Sequence, residues 1–464
     1  MSVSRRSFLK TAGAAVALPW LDLRAKDVAA PSERINLACC GIGYQGAWDV
    51  GEMAKTGLVN IVALCDTHLG APFTRKVLDK YPKAKRYHDF RKMLDEMGNQ
   101  IDAVCAGVPD HSHFPIAMMA MGLGKGIYTE KPMGHTYREI GLMMQAAKKH
   151  KVASQMGNQG HSRENYFQFR ELVAKGRLKG VTKIVAHMNS SRRWHKWKGN
   201  VTALRPAMPI PENLDWDTWL GTVPFHAYHT DYTEGDWRCW YDFGNGALGD
   251  WGAHIFDTAH EFLELGMPSS VKVLHMDGHS DFVFPMNCTL DFAFPAKGER
   301  GAIDLFWYEG QQNLPEIPKN LGAVEGDSAI PPPGGVKKSA KKGLHPGKEI
   351  YLADGTILKG ASHSSILSRV GAPKDEKLID FPKPIESHHK NFVRAVKGEV
   401  ERCNSDFSVA GPLSQVLCLG CIAQRLNTDI AFDAVTETIP GNATANALLA
   451  GPPPRKGWEQ FYKV

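Results

Sequence analysis

"RINLACCGIGYQGAWDV", residues 34–50, carries the strongest structural signal in this chain of 464 residues. An apolar, strand-like run leads directly into Gly41, Gly43 and Gly46, and a helix-like segment follows. The next apolar run, "VNIVALCD", ends in Asp66, 20 residues after Gly46. A strand, three glycines at this spacing, a helix and a second strand ending in an acidic residue together predict a dinucleotide-binding βαβ unit.

Each residue of this pattern has a physical reason. Gly41 permits a tight turn, Gly43 lets the backbone approach a pyrophosphate, and Gly46 lets the helix pack closely on the strand. The pyrophosphate is expected at the helix N-terminus, where unpaired N–H groups favour an anion. Asp66 would accept hydrogen bonds from a ribose diol and repel a 2′-phosphate, so the pattern favours NAD over NADP. The predicted cofactor loop comprises Gly41, Ile42, Gly43, Gln45 and Gly46.

Strand-like and helix-like segments continue to alternate as far as about residue 160, which predicts a doubly wound parallel sheet. In such a sheet, ligands bind at the carboxyl ends of the strands. Residues that directly follow a predicted strand are therefore candidates for the binding cleft. They are Pro109, Asp110, His111 and His113 after one strand, Glu130 and Lys131 after the next, and Asn158, Gln159 and His161 after the third.

The rest of the chain predicts a different architecture. Four segments after residue 180, among them "VTKIVAHMNSS" and "CTLDFAFPA", are strand-like but are not separated by regular helices. This favours an α/β domain with an antiparallel sheet. Helix-like segments at residues 386–399 and 414–426 follow, and residues 310–347 form a predicted long loop. We therefore divide the chain into residues 1–30, 31–160 and 161–464.

The N-terminus has the pattern of an export signal. Arg5 and Arg6 precede an apolar run of about ten residues, which is too short for a membrane-spanning helix of roughly 20 residues. Paired arginines point to the twin-arginine route and so to an exported, periplasmic protein. Because that route carries folded proteins, we expect a cofactor acquired before export. No later apolar segment has the length of a membrane span, and a net charge of +6 is too weak to predict a nucleic-acid partner.

Nine cysteines are present, and Cys418 and Cys421 form a C-x-x-C pair inside an apolar, helix-like stretch. Neither a second cysteine pair nor a histidine pair follows at zinc-binding spacing, so core packing explains these two residues better than a metal does. The sequence predicts no disulfide framework and no metal site.

Four motifs, "GIGYQG", "VPDHSH", "YTEKP" and "GALGDWGAHIFD", occur in the order found in the Gfo/Idh/MocA oxidoreductase family, and the chain resembles that family from about residue 35 to its C-terminus. Later motifs resemble the family's exported bacterial subgroup. The resemblance implies a nicotinamide dinucleotide cofactor and a C-terminal α/β domain with an open, mostly antiparallel sheet. In the family this sheet often serves subunit contacts, which implies a homo-oligomer, either a dimer or a tetramer.

Asp250 and His254 are four residues apart, on one face of a predicted helix. From the residues alone, these two side chains could simply stabilise that helix. They could also bind a metal together with Asp257 and His260, although His260 does not lie on the helix face that Asp250 and His254 share. A histidine suits proton transfer near neutral pH, and a carboxylate one turn away can orient its ring. The resemblance implies that Lys131, Asp250 and His254 are catalytic, with the histidine as general base and the lysine stabilising the reacting oxygen.

The predicted substrate pocket is polar and aromatic. Aromatic faces with hydrogen-bonding groups between them suit sugar rings, which have apolar C–H faces and polar rims. His111 and His113 form an H-x-H pair that could bind a metal, but the resemblance places them along the cofactor and substrate cleft. We expect Trp216 and Trp219 to belong to an aromatic core instead. The predicted substrate residues are Arg192, Tyr228, His229 and Arg238.

Three functions remain open at this point. The first is an NAD-dependent oxidoreductase that acts on a hydroxyl of a sugar, glycoside or polyol and keeps a tightly bound, recycling cofactor. The second is an NAD-dependent glycosidase that works by transient oxidation, elimination, hydration and reduction. The third is a non-catalytic sensor of a sugar or of NAD.

Overall fold

The computed structural model describes residues 31–188, 201–233, 235–310, 312–316, 346–361, 366–373 and 375–464. The predicted export signal, the predicted substrate residue Arg192 and most of the predicted loop at 310–347 lie outside these ranges.

The first part of the chain forms a six-stranded parallel sheet. Its strands are β1 (Ile35–Cys40), β2 (Val59–Cys65), β3 (Lys85–Tyr87), β4 (Ala103–Ala106), β5 (Gly126–Thr129) and β6 (Ser154–Met156). Their spatial order is β3-β2-β1-β4-β5-β6, and every pairing in this sheet is parallel. This order confirms the predicted doubly wound fold. The helices of this part are α1 (Tyr44–Lys55), α2 (Pro72–Lys80), α3 (Phe90–Met97), α4 (Asp110–Gly122), α5 (Tyr137–His150) and α6 (Glu164–Ala174).

The central strands are short and apolar because helices cover both faces of the sheet. Leu37 and Cys39 of β1 and Val104 of β4 are fully buried. Helix α5 begins with a capping box, in which the Thr136 side chain accepts from the Glu139 N–H and the Glu139 carboxylate accepts from the Thr136 N–H. Because the strand order runs outward from β1 in two directions, a cleft opens at the carboxyl ends of β1 and β4.

The second sheet has eight strands and mixed direction. Its strands are β7 (Val181–Met188), β8 (Ser270–Asp277), β9 (Asn287–Phe294), β10 (Ile303–Glu309), β11 (Gly347–Leu352), β12 (Ile357–Ala361), β13 (Ser368–Arg369) and β14 (Ile430–Ala431). Among the described strands, the β7–β10 pairing is parallel and the other pairings of this sheet are antiparallel. The prediction of a mostly antiparallel sheet is confirmed, although β11 and β12 were not predicted.

The helices of the second part are α7 (Trp216–Leu220), α8 (Ala253–Ile255), α9 (Asp257–Phe262), α10 (His388–Val396), α11 (Phe407–Leu426) and α12 (Ala443–Ala450). Contrary to the expectation that no later segment would be long enough, α11 is the one described helix with the length and apolar composition of a membrane span, but most of it is buried inside the protein. It packs on α5 and on a short π-helix, Leu248–Gly252. Cys418 and Cys421 lie within α11, as predicted, and are buried thiols.

Close packing against α11 positions the π-helix. A Cβ atom added at Gly252 would lie 2.7 Å from Leu417 of α11, and one added at Gly420 of α11 would lie 2.4 Å from Leu248. Both distances are shorter than a van der Waals contact, so the two segments can approach this closely only because glycines face each of them. The segment that carries Asp250 is therefore fixed against the central helix of the protein.

Candidate active site

A cavity of about 480 Å³ lies at the carboxyl edge of the first sheet, and residues of the second part of the chain form its other wall. The glycine-rich loop after β1 lines one region of it, and Lys131, Asp250 and His254 line another. Clefts at this edge of a doubly wound sheet are where such folds bind their ligands.

The glycine-rich loop fits the backbone of a dinucleotide. Gly41 has a φ angle of +74°, and a Cβ atom at this position would lie 2.3 Å from the Gly107 carbonyl oxygen. A Cβ atom at Gly46 would lie 2.1 Å from the Gly41 carbonyl oxygen, so this position also excludes a side chain. Gly43, which has no side chain to cap the helix, precedes the first turn of α1. The first N–H groups of α1 can therefore face an anion in the cavity.

Asp66 lies at the end of β2 and lines the same cavity. Its two carboxylate oxygens accept hydrogen bonds from the N–H groups of Ile42 (3.0 Å) and His68 (2.9 Å). Burial raises the pKa of Asp66, and these two hydrogen bonds oppose the rise. Each oxygen has a second lone pair, so Asp66 can also accept from ribose hydroxyls. The Ile42 side chain itself is fully buried.

Gln45, Glu130 and Gln159 form a hydrogen-bonded group on the cavity wall. One Glu130 oxygen accepts from the Gln159 amide at 2.7 Å and from the Gln45 amide at 3.3 Å. Burial, with a contribution from nearby Asp49, raises the pKa of Glu130 to about 8. Glu130 is therefore mostly protonated at neutral pH, and the two amides hold its position.

Lys131 and Asp250 form a short ion pair in the site. Lys131 Nζ donates to Asp250 Oδ1 at 2.6 Å, and both side chains are largely buried. His254, one turn further along, also lines the cavity, and its ring lies edge-on to Trp251 with the ring centroids 5.9 Å apart. The Lys131–Pro132 peptide bond is cis. The three predicted catalytic residues are thus brought together on one wall.

The segment that carries Asp250 is not the regular α-helix that the i, i+4 spacing predicted. Leu248–Gly252 is a π-helix, and α8 continues directly from it with His254. Single turns of π-helix occur often at functional sites, because the extra residue per turn re-aims side chains. Here both side chains still reach the cavity.

Arg238 lines the cavity and pairs with the protein's own carboxylates. Its Nη1 donates to Asp110 Oδ1 at 2.6 Å, and its Nε lies 3.8 Å from Asp250 Oδ1. Burial would lower the pKa of Arg238, but Asp110 and Asp250 outweigh burial and raise it. The Arg238 guanidinium also stacks on Trp237, 4.2 Å from the ring centroid. Asp110, which lies at the start of α4, in turn accepts from the Asn245 N–H at 2.9 Å.

His111 and His113 are not placed along the cleft, which corrects the prediction for these two residues. The two ring nitrogens of His111 contact the carbonyl oxygens of Trp219 (2.7 Å) and Phe243 (3.1 Å). Those of His113 contact the carbonyl oxygens of Pro132 (2.9 Å) and Val108 (3.0 Å). Burial lowers the pKa of His111 to about 3 and that of His113 to about 4, although the carbonyl contacts of each ring oppose the shift. They connect loops behind the cavity wall.

Asn158 and His161, which were also candidates for the binding cleft, do not line the cavity. Asn158 donates to Asp257 at 2.9 Å. His161 lies between two carboxylates, with Nδ1 2.8 Å from Asp257 and Nε2 3.0 Å from Glu261. Burial would lower the pKa of His161, but these carboxylates raise it to about 10. The buried ring is therefore an imidazolium.

Two predicted substrate residues, Tyr228 and His229, are not among the described residues that line the cavity. Tyr228 packs edge-on against Trp216, with centroids 5.2 Å apart. His229 Nδ1 accepts from the Asp231 N–H at 3.0 Å and caps a short 3-10 helix. Among the described residues, no three metal-ligating side chains form a cluster that could hold a metal ion.

Several lining residues were not among the predicted site residues. Trp237 and Trp251 flank the catalytic wall, and Trp48 lies beside the glycine-rich loop. Each lies within three residues of a predicted site residue, so the aromatic signal was visible, but the sequence does not show which tryptophan faces the cavity. A second group lines the opposite end: Phe90, Pro115, Ile116, Leu214, Thr218 and Trp458.

Two family models match the chain. Residues 35–158 match the model described as "Oxidoreductase family, NAD-binding Rossmann fold" of the Gfo/Idh/MocA group, and residues 164–287 match its "C-terminal alpha/beta domain". Together the two models cover more than half of the 464 residues.

Curated relatives match at low identity. An inositol 2-dehydrogenase of Salmonella typhimurium is 26% identical over 141 residues, which are 30% of this chain and 41% of that protein. A glycosyl hydrolase family 109 protein of Shewanella baltica is 28% identical over 258 residues, which are 46% of this chain and 56% of that protein. The matches thus span less than two thirds of the length of these relatives.

Solved structures share the fold. The WlbA dehydrogenase of Chromobacterium violaceum, solved with NADH and UDP-GlcNAcA, superimposes with a TM-score of 0.57 at 15% identity, over 87% of this chain and 97% of that one. The WlbA dehydrogenase of Bordetella pertussis gives a TM-score of 0.56 at 15% identity, over 86% of this chain and 99% of that one.

Proposed function

Because the chain belongs to the Gfo/Idh/MocA oxidoreductase family, we propose that it is an NAD-dependent oxidoreductase acting on a secondary hydroxyl of a sugar, glycoside or polyol. One observation carries the proposal. Lys131, Asp250 and His254 line the same cavity as the glycine-rich loop, so a dinucleotide on that loop can reach them. Asp66 at the end of β2 supports NAD rather than NADP.

The residues on the catalytic wall suit removal of a hydroxyl proton. In this proposal the Lys131 ammonium donates a hydrogen bond to the substrate oxygen and stabilises the charge that develops there. A ring nitrogen of His254 accepts the hydroxyl proton. Asp250 holds Lys131 in place through the 2.6 Å contact. A bound nicotinamide supplies the acceptor for the hydride.

The walls beside this group support a carbohydrate substrate. Trp237 and Trp251 line the cavity, and aromatic side chains suit the C–H side of a sugar ring. The charged groups there are paired within the protein, Lys131 with Asp250 and Arg238 with Asp110. A cavity with balanced charges favours a neutral sugar, glycoside or polyol.

The proposal includes export and a resident cofactor. Residues 1–30 would form the twin-arginine signal, residues 31–160 the NAD-binding domain and residues 161–464 the substrate and oligomerisation domain of a periplasmic homo-oligomer. Free NAD is scarce outside the cytoplasm, so the enzyme would keep one cofactor and recycle it between two substrates or within one. The pattern of Arg5 and Arg6 supports this part of the proposal.

A second candidate function is an NAD-dependent glycosidase. One observation favours it: the glycosyl hydrolase family 109 relative matches over 46% of the chain, against 30% for the inositol 2-dehydrogenase. In that reaction the sugar would be oxidised, lose its aglycone by elimination, add water and be reduced again, with no net redox change.

Product analysis separates the two functions. The purified protein is first freed of any bound nucleotide, which is identified, and is then supplied with NAD and a panel of hexoses, inositols, and alkyl and aryl glycosides. Keto-sugar formed together with NADH supports the oxidoreductase. Free sugar released from a glycoside without NADH supports the glycosidase. If no member of the panel is converted and no nucleotide binds, the proposal is wrong.

A further inference from the structure

The segment that carries Asp250 and His254 is interrupted directly after His254. The π-helix Leu248–Gly252 leads into α8, which has only three residues and ends at Ile255, and α9 begins at Asp257. So short a helix has little stability of its own, and the carbonyl groups at its end have no partner within it. The direction in which His254 points therefore depends on contacts from outside this segment.

Lys348 of strand β11 provides one of these contacts. Its Nζ donates to the Ile255 carbonyl oxygen at 2.8 Å and to the Thr258 hydroxyl oxygen at 2.9 Å. Ile255 follows His254 directly in the chain, and Thr258 lies in the first turn of α9. The ammonium thus joins the two helices across the break between them, and we call residues 255–258 the helix junction.

Strand β11 gives Lys348 a fixed backbone. It lies inside the second sheet, between β7 and β12, where Lys348 is opposite Ala186 of β7 and Gly360 of β12. The Lys348 side chain is only 7% exposed. Because β11 is paired on both sides, the ammonium ties the helix junction to the sheet rather than to a loop.

The helix junction is also held from its other side. His161 and Asn158, which follow β6 of the first sheet, bond to the Asp257 carboxylate. The Phe256 ring packs edge-on against Trp307 of β10, with the ring centroids 5.6 Å apart. The junction therefore has contacts with both parts of the chain, and Lys348 is a polar link to the second part.

The acceptors of Lys348 are unusual for a buried ammonium, because both are neutral oxygens. Burying a cation costs free energy, which an opposite charge in direct contact would offset more fully. Burial lowers the pKa of Lys348 to about 8, and the Asp257 carboxylate opposes this shift. The cation is therefore mostly present at pH 7 and is lost in mildly alkaline solution. An apolar side chain would avoid the cost, so stability alone does not explain a lysine at this position.

We propose that Lys348 is a positioning residue, which holds the helix junction and thereby fixes the direction in which the His254 imidazole enters the cavity. Lys348 is not among the described residues that line the cavity, so it acts through His254. The inference rests on the proposed role of His254 as the base, but not on the identity of the sugar.

Amide hydrogen exchange tests the contact without a substrate. In Lys348→Met, which keeps a side chain of similar length, peptides that cover residues 248–262 should exchange at least about tenfold faster than in the wild type, because the junction opens more readily. Lys183→Met is the matched control, because Lys183 lies on the neighbouring strand β7 and its ammonium lies over the Tyr351 ring, 4.1 Å from the centroid. In this control, residues 248–262 should exchange as in the wild type.

Single-turnover reduction of NAD by a converted sugar tests the effect on His254. The rate at saturating sugar should fall at least about tenfold in Lys348→Met, because a misplaced base reacts slowly. The Kd for NADH and the sugar concentration that gives half the maximal rate should stay within about twofold. Thr258→Val keeps the lysine and nearly the same shape but removes one acceptor. It should show a smaller fall, and it provides the test if Lys348→Met folds poorly.

The dependence of this rate on pH separates positioning from a merely structural role. The groups that face the Lys348 ammonium are the Ile255 carbonyl, the Thr258 hydroxyl, the Asp257 carboxylate and the Phe169 ring of α6. As the pH rises through about 8, the ammonium loses its proton and its hydrogen bonds weaken. The wild-type rate should therefore fall above pH 8, and this fall should be absent from Lys348→Met.

Unchanged exchange of residues 248–262 in Lys348→Met, or a rate equal to that of the wild type, would overturn the inference. NADH binding that weakens as much as the rate falls would also overturn it, because the variant would then only loosen the fold. If instead the wild type converts no sugar, the proposed function is wrong, while the exchange measurement still decides whether Lys348 holds the helix junction.

Discussion

Four charged side chains form one continuous series of contacts along the catalytic wall. Asp110 pairs with Arg238, Arg238 lies 3.8 Å from Asp250, and Asp250 pairs with Lys131. The series alternates in sign, so each charge has an opposite neighbour, as buried charges require. Arg238 thereby places positive charge on a second side of Asp250, in addition to that of Lys131.

Asp110 should matter for stability, although it does not line the cavity. Its side chain is completely buried, and replacing it by asparagine would leave the Arg238 cation with Asp250 as its nearest carboxylate. We expect Asp110→Asn to lower the free energy of unfolding by about 3 kcal/mol. The measurement is urea unfolding of the protein free of nucleotide.

Asp217→Asn serves as the control for this comparison. Asp217 also pairs with an arginine, Arg455, but its side chain is 63% exposed. Exposed pairs contribute about 1 kcal/mol or less, so this variant should unfold close to the wild type. Similar losses in the two variants would contradict the account of Asp110 as a buried counter-ion.

The residue types along the strand ends were predictable, but not the directions in which they point. Residues that follow parallel strands must lie at one edge of the sheet, and this placed Glu130, Lys131 and Gln159 in the cavity. His111 and His113 follow a strand as well, yet their rings turn toward carbonyl oxygens of other loops. Such partners come from distant parts of the chain, and one sequence does not reveal them.

At the scale of elements, the π-helix was only partly predictable from the sequence. The spacing of Asp250 and His254 predicted that both side chains would face one way, and both line the cavity. The π-turn itself could not be predicted, because it occurs together with close packing at two glycines. A Cβ atom at Gly249 would lie 2.3 Å from Asn245, and a Cβ atom at Gly252 would lie 2.7 Å from Leu417. Those contacts exist only in the folded protein.

His161 joins the segment after β6 to α9 and should make stability depend on pH. Its pKa is about 10 in the folded protein, against an ordinary value near 6.5. The folded state therefore holds a proton that the unfolded state releases above pH 6.5. The stabilisation is complete below pH 6.5 and is lost as the pH rises from there through 10.

His161→Gln removes this proton-binding group. The melting temperature of the wild type should exceed that of the variant most at pH 6, and the difference should narrow as the pH is raised toward 10. His275→Gln is the control, since His275 forms an exposed pair with Asp277 and should change the melting temperature little. A constant difference for His161→Gln would mean that the ring is not an imidazolium.

At the scale of the whole molecule, features that depend on neighbouring segments were predictable from the sequence, whereas features that join distant segments were not. The glycine pattern and the alternation of strands and helices predicted the first sheet, because a βαβ unit is determined by neighbouring segments. The mostly antiparallel second sheet was also expected, because its strand-like segments are not separated by regular helices. One end of the cavity was not expected, because it joins Phe90 of α3, Leu214 before α7 and Trp458 near the C-terminus.

In the wall of the proposed substrate pocket, the residue types were predictable from the sequence, but the direction of each side chain was not. The aromatic character of residues 226–241 was visible in the sequence, and the structure uses it in two ways. Trp237 faces the cavity, whereas Tyr228 and Trp240 are buried in an aromatic core with Trp216. Which aromatic residue faces outward depends on how this segment packs against the rest of the protein.

One measurement tests the central claim most directly, namely that Lys131, Asp250 and His254 promote the oxidation of a sugar hydroxyl by bound NAD. Enzyme loaded with NAD is mixed with each member of the carbohydrate panel, and the absorbance of reduced nicotinamide is followed over a single turnover. The account predicts a rapid rise for the wild type with at least one sugar, glycoside or polyol. For Lys131→Met and for His254→Gln the rate should be lower by at least about a hundredfold.

Lys148→Met, on the exposed face of α5, is the control and should react at the wild-type rate. Binding of NADH to each variant establishes that the cofactor site is intact. If Lys131→Met and His254→Gln bind NADH and reduce NAD as fast as the wild type does, the assignment of the active site is contradicted.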